Sequence, residues 1–295
     1  MNVYEIVQQN ILKKLEDAIN NNLDFKWIKP WKGGIMPTNY VSKKTYSGIN
    51  LLLLEEGGYY LTYKQVKDLK GKVKKGAKKL PVVYWNFLKS EPSNTDEEEE
   101  SEIAGNKKTK VVFKYYSVFH QSDIEGIDFP EVTEYSHEVD EDSIAYNLVK
   151  EYKNIVPINE SSGSNRAYYS PARDIISVPA LSQFESESEY YSTVFHEMIH
   201  STGHESRLNR DIMNSFGDND YSKEELVAEI GSALLRAYSN VEDAKADNNS
   251  IAYLKGWYNH IKDAKPSFIT SCARQAQKAM NYIIDETINN EENLA

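Results

Sequence analysis

The sharpest chemical signal in this 295-residue chain is His196-Glu197-Met198-Ile199-His200, the pattern HExxH. Four residues of α-helix turn by about 400° and rise by about 6 Å, so both imidazoles leave one face, a turn apart. From there both can reach one zinc ion, or another divalent cation, at roughly 2.0–2.1 Å. Glu197, beside the first ligand, is directed at the position of a metal-bound water. Its expected role is to take that water's proton, made labile by the cation, and hand it to a leaving amine. The corresponding reaction is amide hydrolysis, with Glu197 as the catalytic base and His196 and His200 as metal ligands.

These side chains need a helix to hold them. Ser186 with Glu189 predicts a capping box, and Tyr191, Val194, Phe195, Met198 and Ile199 recur at helical spacing before Gly203 ends the run. A catalytic zinc needs a third protein ligand and an open fourth position. An extended HExxHxxGxxH motif is excluded because Ser206 occupies the last position. His204 follows Gly203, which bends the chain, so it is expected at the surface or behind the ligands, with direct ligation as the alternative. The better third ligand lies in Glu224-Glu225-Leu226-Val227-Ala228-Glu229, on a helix whose start is expected at a second capping box, Ser222 with Glu225. Glu225 and Glu229 share a face. This resembles the gluzincin arrangement, in which one helical carboxylate binds the metal and another, a turn later, orients a ligand histidine. Glu225 would then ligate and Glu229 would stand behind His200 or His196; if Glu225 caps its helix instead, Glu229 becomes the ligand.

The remaining sequence sets the frame. About 150 residues per domain makes two domains the natural division. No stretch approaches the roughly 18 unbroken apolar residues of a membrane helix. The amino terminus lacks a secretory signal and Cys272 is the sole cysteine, which excludes an internal disulfide and a thiolate zinc site and fits a reducing cytoplasm. Net charge is −11, but it is unevenly spread: residues 1–89 hold 16 Lys and no Arg against 7 acidic side chains, a formal +9. Residues 90–295 hold 18 basic and 38 acidic side chains, a formal −20.

In the basic third, Val3, Ile6, Val7, Ile11, Leu15 and Ala18 predict an amphipathic helix. A second helix is expected over Thr62–Leu69, and strands over Val82–Phe87 and Val111–Phe119. An acidic excursion at 90–108 separates the strands and is expected to be a solvated loop; the polar stretch 126–142 is the expected linker. Lys26, Trp27, Lys29, Trp31 and Lys32 interleave rings with ammonium groups, and Lys43, Lys44 and Tyr46 continue the pattern. Lys64, Lys72, Lys74, Lys75, Lys78 and Lys79 add a dense cluster. Cations for phosphates and flat rings for bases are what single-stranded nucleic acid requires. The absence of Arg argues against reading duplex base edges. After the linker, helices are expected over 143–152, around 253–261 and over 267–284, with a strand over Ile175–Val178.

The chain also resembles a family. Trp27-x-x-Pro30-Trp31, Pro37-x-Asn39, Tyr46-Ser47-Gly48-Ile49-Asn50, Leu61-Thr62-Tyr63-Lys64-Gln65, Val73-x-x-Gly76 and Phe119 with Glu125-Gly126 are similar to the amino-terminal domain of ArdC-type antirestriction proteins. Tyr168-x-x-Pro171-x-x-Asp174, the stretch His196 to His204, Glu224 to Gly231 and Trp257 continue the resemblance in order; the acidic excursion departs from it. It implies an α+β protein of two domains. A small lysine-rich α+β domain, here 1–128, would bind single-stranded DNA. A mostly helical zincin domain, here 140–295, would resemble the gluzincins and the SprT-like proteases that degrade protein crosslinked to DNA. The family is carried by plasmids and phages and protects incoming DNA from restriction, with DNA-bound or restriction-system proteins as the implied substrates. Two alternatives stay open: coating of DNA with a purely structural metal, and a peptidase whose basic domain binds an acidic protein.

Overall fold

The computed structural model describes residues 2–21, 25, 27, 35–54, 56–89, 109–130, 143–161, 166–212, 219–241 and 251–294. Lys26, Lys29, Trp31, Lys32, the acidic excursion and most of the expected linker lie outside the described residues. Among the described residues, no helix is long and apolar enough to cross a membrane.

Helix α1, Val3–Asn21, buries Val7, Ile11, Leu15 and Ala18 on one stripe. It starts at Val3 because Asn2 and Glu5 cap it reciprocally: the Glu5 amide donates to Asn2 Oδ1, and the Asn2 amide to Glu5 Oε2, each at 2.9 Å. The short α2, Ile49–Leu53, is buried throughout. Four strands follow as one sheet in the order β1-β2-β5-β4: β1 Thr38–Asn39, β2 Tyr59–Thr62, β4 Leu80–Lys89 and β5 Thr109–His120. Helix α3, Tyr63–Asp68, is opened by a full capping box between Thr62 and Gln65. Strands β3, Lys72–Val73, and β6, Ile124–Glu125, form a separate pair. Asn50 of α2 lies against the outer edge of β4, its amide nitrogen donating to the Val83 carbonyl at 2.9 Å and its oxygen accepting from the Val83 amide at 2.7 Å. It thus satisfies edge groups that a further strand would otherwise pair.

The second half begins with α4, Ile144–Tyr152, and a sheet of order β7-β9-β8, made of β7 Ile158–Ser161, β8 Tyr168–Ser170 and β9 Ile175–Pro179. Strand β7 runs parallel to β9 and the edge strand β8 antiparallel. Helices α5 Glu187–Ser201, α6 Asn219–Tyr238, α7 Ile251–Asp263 and α8 Phe268–Leu294 complete it. The last helix runs to Leu294, beyond the expected 284. Two cap expectations need correction. Ser186 accepts from the Glu189 amide, but the Glu189 carboxylate reaches back to the Glu185 amide instead of closing the box on Ser186. Helix α6 starts at Asn219, which puts Ser222 within the helix and not at the position before its first residue.

The two halves share one core. Val7, Ile11 and Leu15 of α1 and Leu51 to Leu53 of α2 belong to the same buried cluster as Phe195, Leu226, Ala273 and Ile283. Hydrogen bonds stitch the seam: Gln8 Nε2 donates to the Ile261 carbonyl at 2.6 Å and the Ala264 carbonyl at 3.1 Å, and the Gly48 amide donates to Gln277 Oε1 at 3.1 Å. The amino-terminal helices α1 and α2 therefore pack onto the helical half of this two-domain α+β protein and share its interior.

Candidate metal centre

Helix α5 is anchored by Val194, Phe195, Met198 and Ile199, all fully buried, which leaves His196 and His200 on the helix edge facing α6. Helix α6 presents Leu226, Val227, Ile230 and Leu234 to the same interior. The two helices approach closely where Gly231 meets Ile199; a Cβ on Gly231 would sit 2.7 Å from Ile199 Cδ1. A side chain there would force the Ile199 side chain to shift. That close packing sets the first turns of α6 against the imidazoles.

His196 Nε2 and His200 Nε2 are 3.1 Å apart, and the Glu225 carboxylate is 3.5 Å from each through separate oxygens. Donors around a tetrahedral ion at roughly 2.0–2.1 Å lie about 3.4 Å apart, and a carboxylate that turns one oxygen toward both imidazoles lets the three residues share one divalent cation. Among the described residues, this is the group of three possible ligands that converges, with all donor atoms within 4.8 Å. The electrostatics match a cation. Burial disfavours the His196 imidazolium, but the hydrogen bond to Glu225 and the charges of Glu229, Glu197 and Glu225 outweigh it and raise its pKa to about 9.

Behind His200 stands Glu224, whose Oε1 is 3.2 Å from His200 Nδ1. Of the two places expected for Glu229, the one behind His200 is held by Glu224: neighbours on a helix point about 100° apart, so Glu225 can face the imidazole tips while Glu224 reaches the back of a ring. Glu229 contributes its negative charge to His196. Glu224 is 7% exposed, and Arg210 donates to both its oxygens, Nη2 to Oε1 at 2.7 Å and Nε to Oε2 at 3.0 Å. Burial opposes the charge, yet His200 and Arg210 hold the Glu224 carboxyl below its usual range. Arg210 is itself fastened to α5 through the Ile199 carbonyl at 2.8 Å and Thr202 Oγ1 at 2.7 Å.

Glu197 is 8% exposed and lines the same open cleft, of about 360 Å³, as His196, His200 and Glu225. The opposite wall is Tyr168, Tyr169 and Pro171 from β8 and the turn after it. That wall is clamped to the end of α5: Arg207 binds both Asp174 oxygens, donates to the Ser201 carbonyl at 2.8 Å and to Tyr169 Oη at 3.1 Å, and Tyr169 donates to Asp174 at 2.7 Å. His204 lies apart from the triangle, its Nδ1 2.8 Å from Ser206 Oγ. Arg210 and Arg207 went unnoticed in the sequence because they sit in an irregular loop with no period to mark them. Glu224 was visible only as part of an acidic pair.

On the basic side, Lys44, Lys64, Lys72, Lys75 and Lys79 are exposed, as are Lys74, which donates to the Ser122 carbonyl at 2.7 Å, and Lys78. The Lys43 ammonium lies 3.9 Å from the centre of the Tyr40 ring. Tyr46 is half-buried, with its hydroxyl accepting from Asn39 at 3.4 Å. Trp27 packs edge-on against Trp257 of α7, ring centres 6.4 Å apart, and against Phe25 at 4.9 Å, so its ring belongs at least partly to the shared interior.

Residues 1–119 match the family model of the N-terminal domain of anti-restriction factor ArdC, and residues 148–275 match that of a zincin-like metallopeptidase. The crystal structures of the antirestriction ArdC protein from plasmid R388 are similar over 98% of this chain and 99% of that one. The metal-free form has 31% identity and a TM-score of 0.72, and the Mn(II)-bound form 30% and 0.71. Two proteins called DNA primase TraC from Escherichia coli are 28% and 30% identical over 95% and 88% of this chain, which spans only 20% and 25% of their lengths. The uncharacterized protein y4eC of Sinorhizobium fredii (strain NBRC 101917 / NGR234) is 26% identical over 94% of this chain and 90% of its own.

Proposed function

Since the chain belongs to the family of ArdC antirestriction proteins, we propose that it protects entering DNA by joining single-strand binding to a metal-dependent peptidase site. The observation that carries the second part is the convergence of His196, His200 and Glu225, the two Nε2 atoms 3.1 Å apart and a separate Glu225 oxygen 3.5 Å from each, beside a buried Glu197. Two imidazole nitrogens and a carboxylate suit zinc, and the same set accepts manganese. The metal, when bound, polarises a scissile carbonyl and acidifies water. The protein's residues do the rest. Glu224 accepts the Nδ1 proton of His200 and so leaves Nε2 as the free donor. Glu197 takes the proton of the attacking water and returns it to the departing amine. The β8 wall, held by Arg207 and Asp174, keeps a bound peptide against the ligands.

Proteins sitting on DNA, restriction subunits among them, are the substrates this arrangement would serve, because the exposed lysines attract phosphates while a core shared with α1 and α2 joins the cleft to the half that carries them. The test is Glu197→Gln, assayed for metal content, cleavage of DNA-bound protein and protection of transferred DNA. Retained metal with lost cleavage and lost protection supports the reading. Protection that survives intact would assign the function to coverage of DNA, with a structural metal.

A further inference from the structure

Strands β4 and β5 pair antiparallel along all of β4, from Leu80↔Val118 to Lys89↔Thr109. The base of this ribbon is buried, with Leu80, Val82 and Val118 in a small core. The same face then emerges into solvent carrying large rings. Tyr84 is 59% exposed and Tyr116 is 47% exposed. The register puts them together: Tyr84 is directly opposite Lys114, Val82 is opposite Tyr116, and residues two apart on a strand share a face. Tyr84 and Tyr116 are therefore diagonal neighbours, roughly 7–8 Å apart at the backbone, with the exposed Lys114 next to both on the same face, opposite Tyr84 and two residues from Tyr116. Tyr115, 52% exposed and opposite Val83, points to the other face.

Clustered exposed rings leave apolar surface in water and are a feature of surfaces that a partner covers. The charge around them selects the partner. Lys114 shares their face, and Lys78 and Lys79 lead directly into β4. An anionic polymer with flat apolar units fits both features, and a duplex does not, because its base faces are already stacked on one another.

We propose that Tyr84 and Tyr116 form the base-stacking platform of the single-strand site, with Lys114 on the passing phosphates. This rests on the single-strand reading above and locates it on one face of the β4–β5 ribbon. The experiment is fluorescence anisotropy of the full chain with a labelled oligothymidylate across a salt series. Combined Tyr84→Ala and Tyr116→Ala should weaken binding by about 10- to 100-fold with an unchanged salt slope. The paired Phe substitutions and Tyr115→Ala should stay within about twofold of wild type. Lys114→Ala should flatten the salt slope by about one unit. A wild type that binds while the double Ala variant binds equally well would overturn the platform and leave the single-strand reading standing. A wild type that binds no oligonucleotide, or is displaced as well by polyglutamate, would remove both. Should the Ala variant misfold, photocrosslinking of wild type to a bromouracil oligonucleotide decides the matter: adducts on Tyr84 or Tyr116 support the platform, and adducts confined elsewhere refute it.

Discussion

Glu224 stands between Arg210 and His200, accepting two hydrogen bonds from the guanidinium, at 2.7 and 3.0 Å, and facing the imidazole Nδ1 at 3.2 Å. Because Glu225 follows it on the helix, one turn of α6 supplies both a ligand candidate and the group that orients another.

The consequence for metal binding is measurable. Glu224→Gln should lower affinity for zinc by about 10- to 100-fold, the usual effect of removing a carboxylate behind a ligand histidine. Competition with a chromophoric chelator reads this directly. Glu225→Ala should lose more, since it removes a donor; equal losses for Glu229→Ala and Glu224→Gln would count against the orientation described.

Glu197→Gln tests the chemistry separately. The amide keeps the size of the side chain but cannot accept the water's proton, so turnover should fall by about 10²- to 10⁴-fold while zinc content is unchanged. Loss of zinc in this variant would mean that Glu197 belongs to the ligand set.

Gly231→Ala probes the contact that brings the two helices together. An added methyl would lie 2.7 Å from Ile199 Cδ1. Overpacking of this kind costs about 1–3 kcal/mol, against a gain of up to about 1 kcal/mol in helix propensity. A lower urea midpoint together with weaker zinc binding is expected; an unchanged midpoint would show that α5 and α6 separate without cost.

Asp174 predicts a pH signature. Its hydrogen bonds from Arg207 lower the carboxyl pKa, burial works the other way, and Tyr169 adds a further lowering. A group depressed in the folded state stabilises above its unfolded value and loses that contribution as pH falls through the folded one. Asp174→Asn should therefore cost about 1.5–3 kcal/mol at neutral pH. The gap between wild type and variant should close below about pH 4, the ordinary carboxylate range. Melting curves at neutral and acid pH would contradict this if the gap were constant.

The amino-acid sequence alone determined whatever depends on neighbours along the chain. The spacing of His196 and His200 put both rings on one face, the stripe of Val7, Ile11, Leu15 and Ala18 defined α1, and the segment Thr62–Leu69 gave α3. Those are local geometries, set by backbone period and capping chemistry. Only the tertiary structure decided that Glu224 and not Glu229 sits behind His200, because that choice depends on how α6 is rotated against α5 around Gly231. It also decided that Arg210 completes the site from a loop, that Lys114 lies beside Tyr84, and that α1 and α2 share a core with α8. Each of these joins residues far apart in the chain through packing or strand register, and neither leaves a period in the sequence.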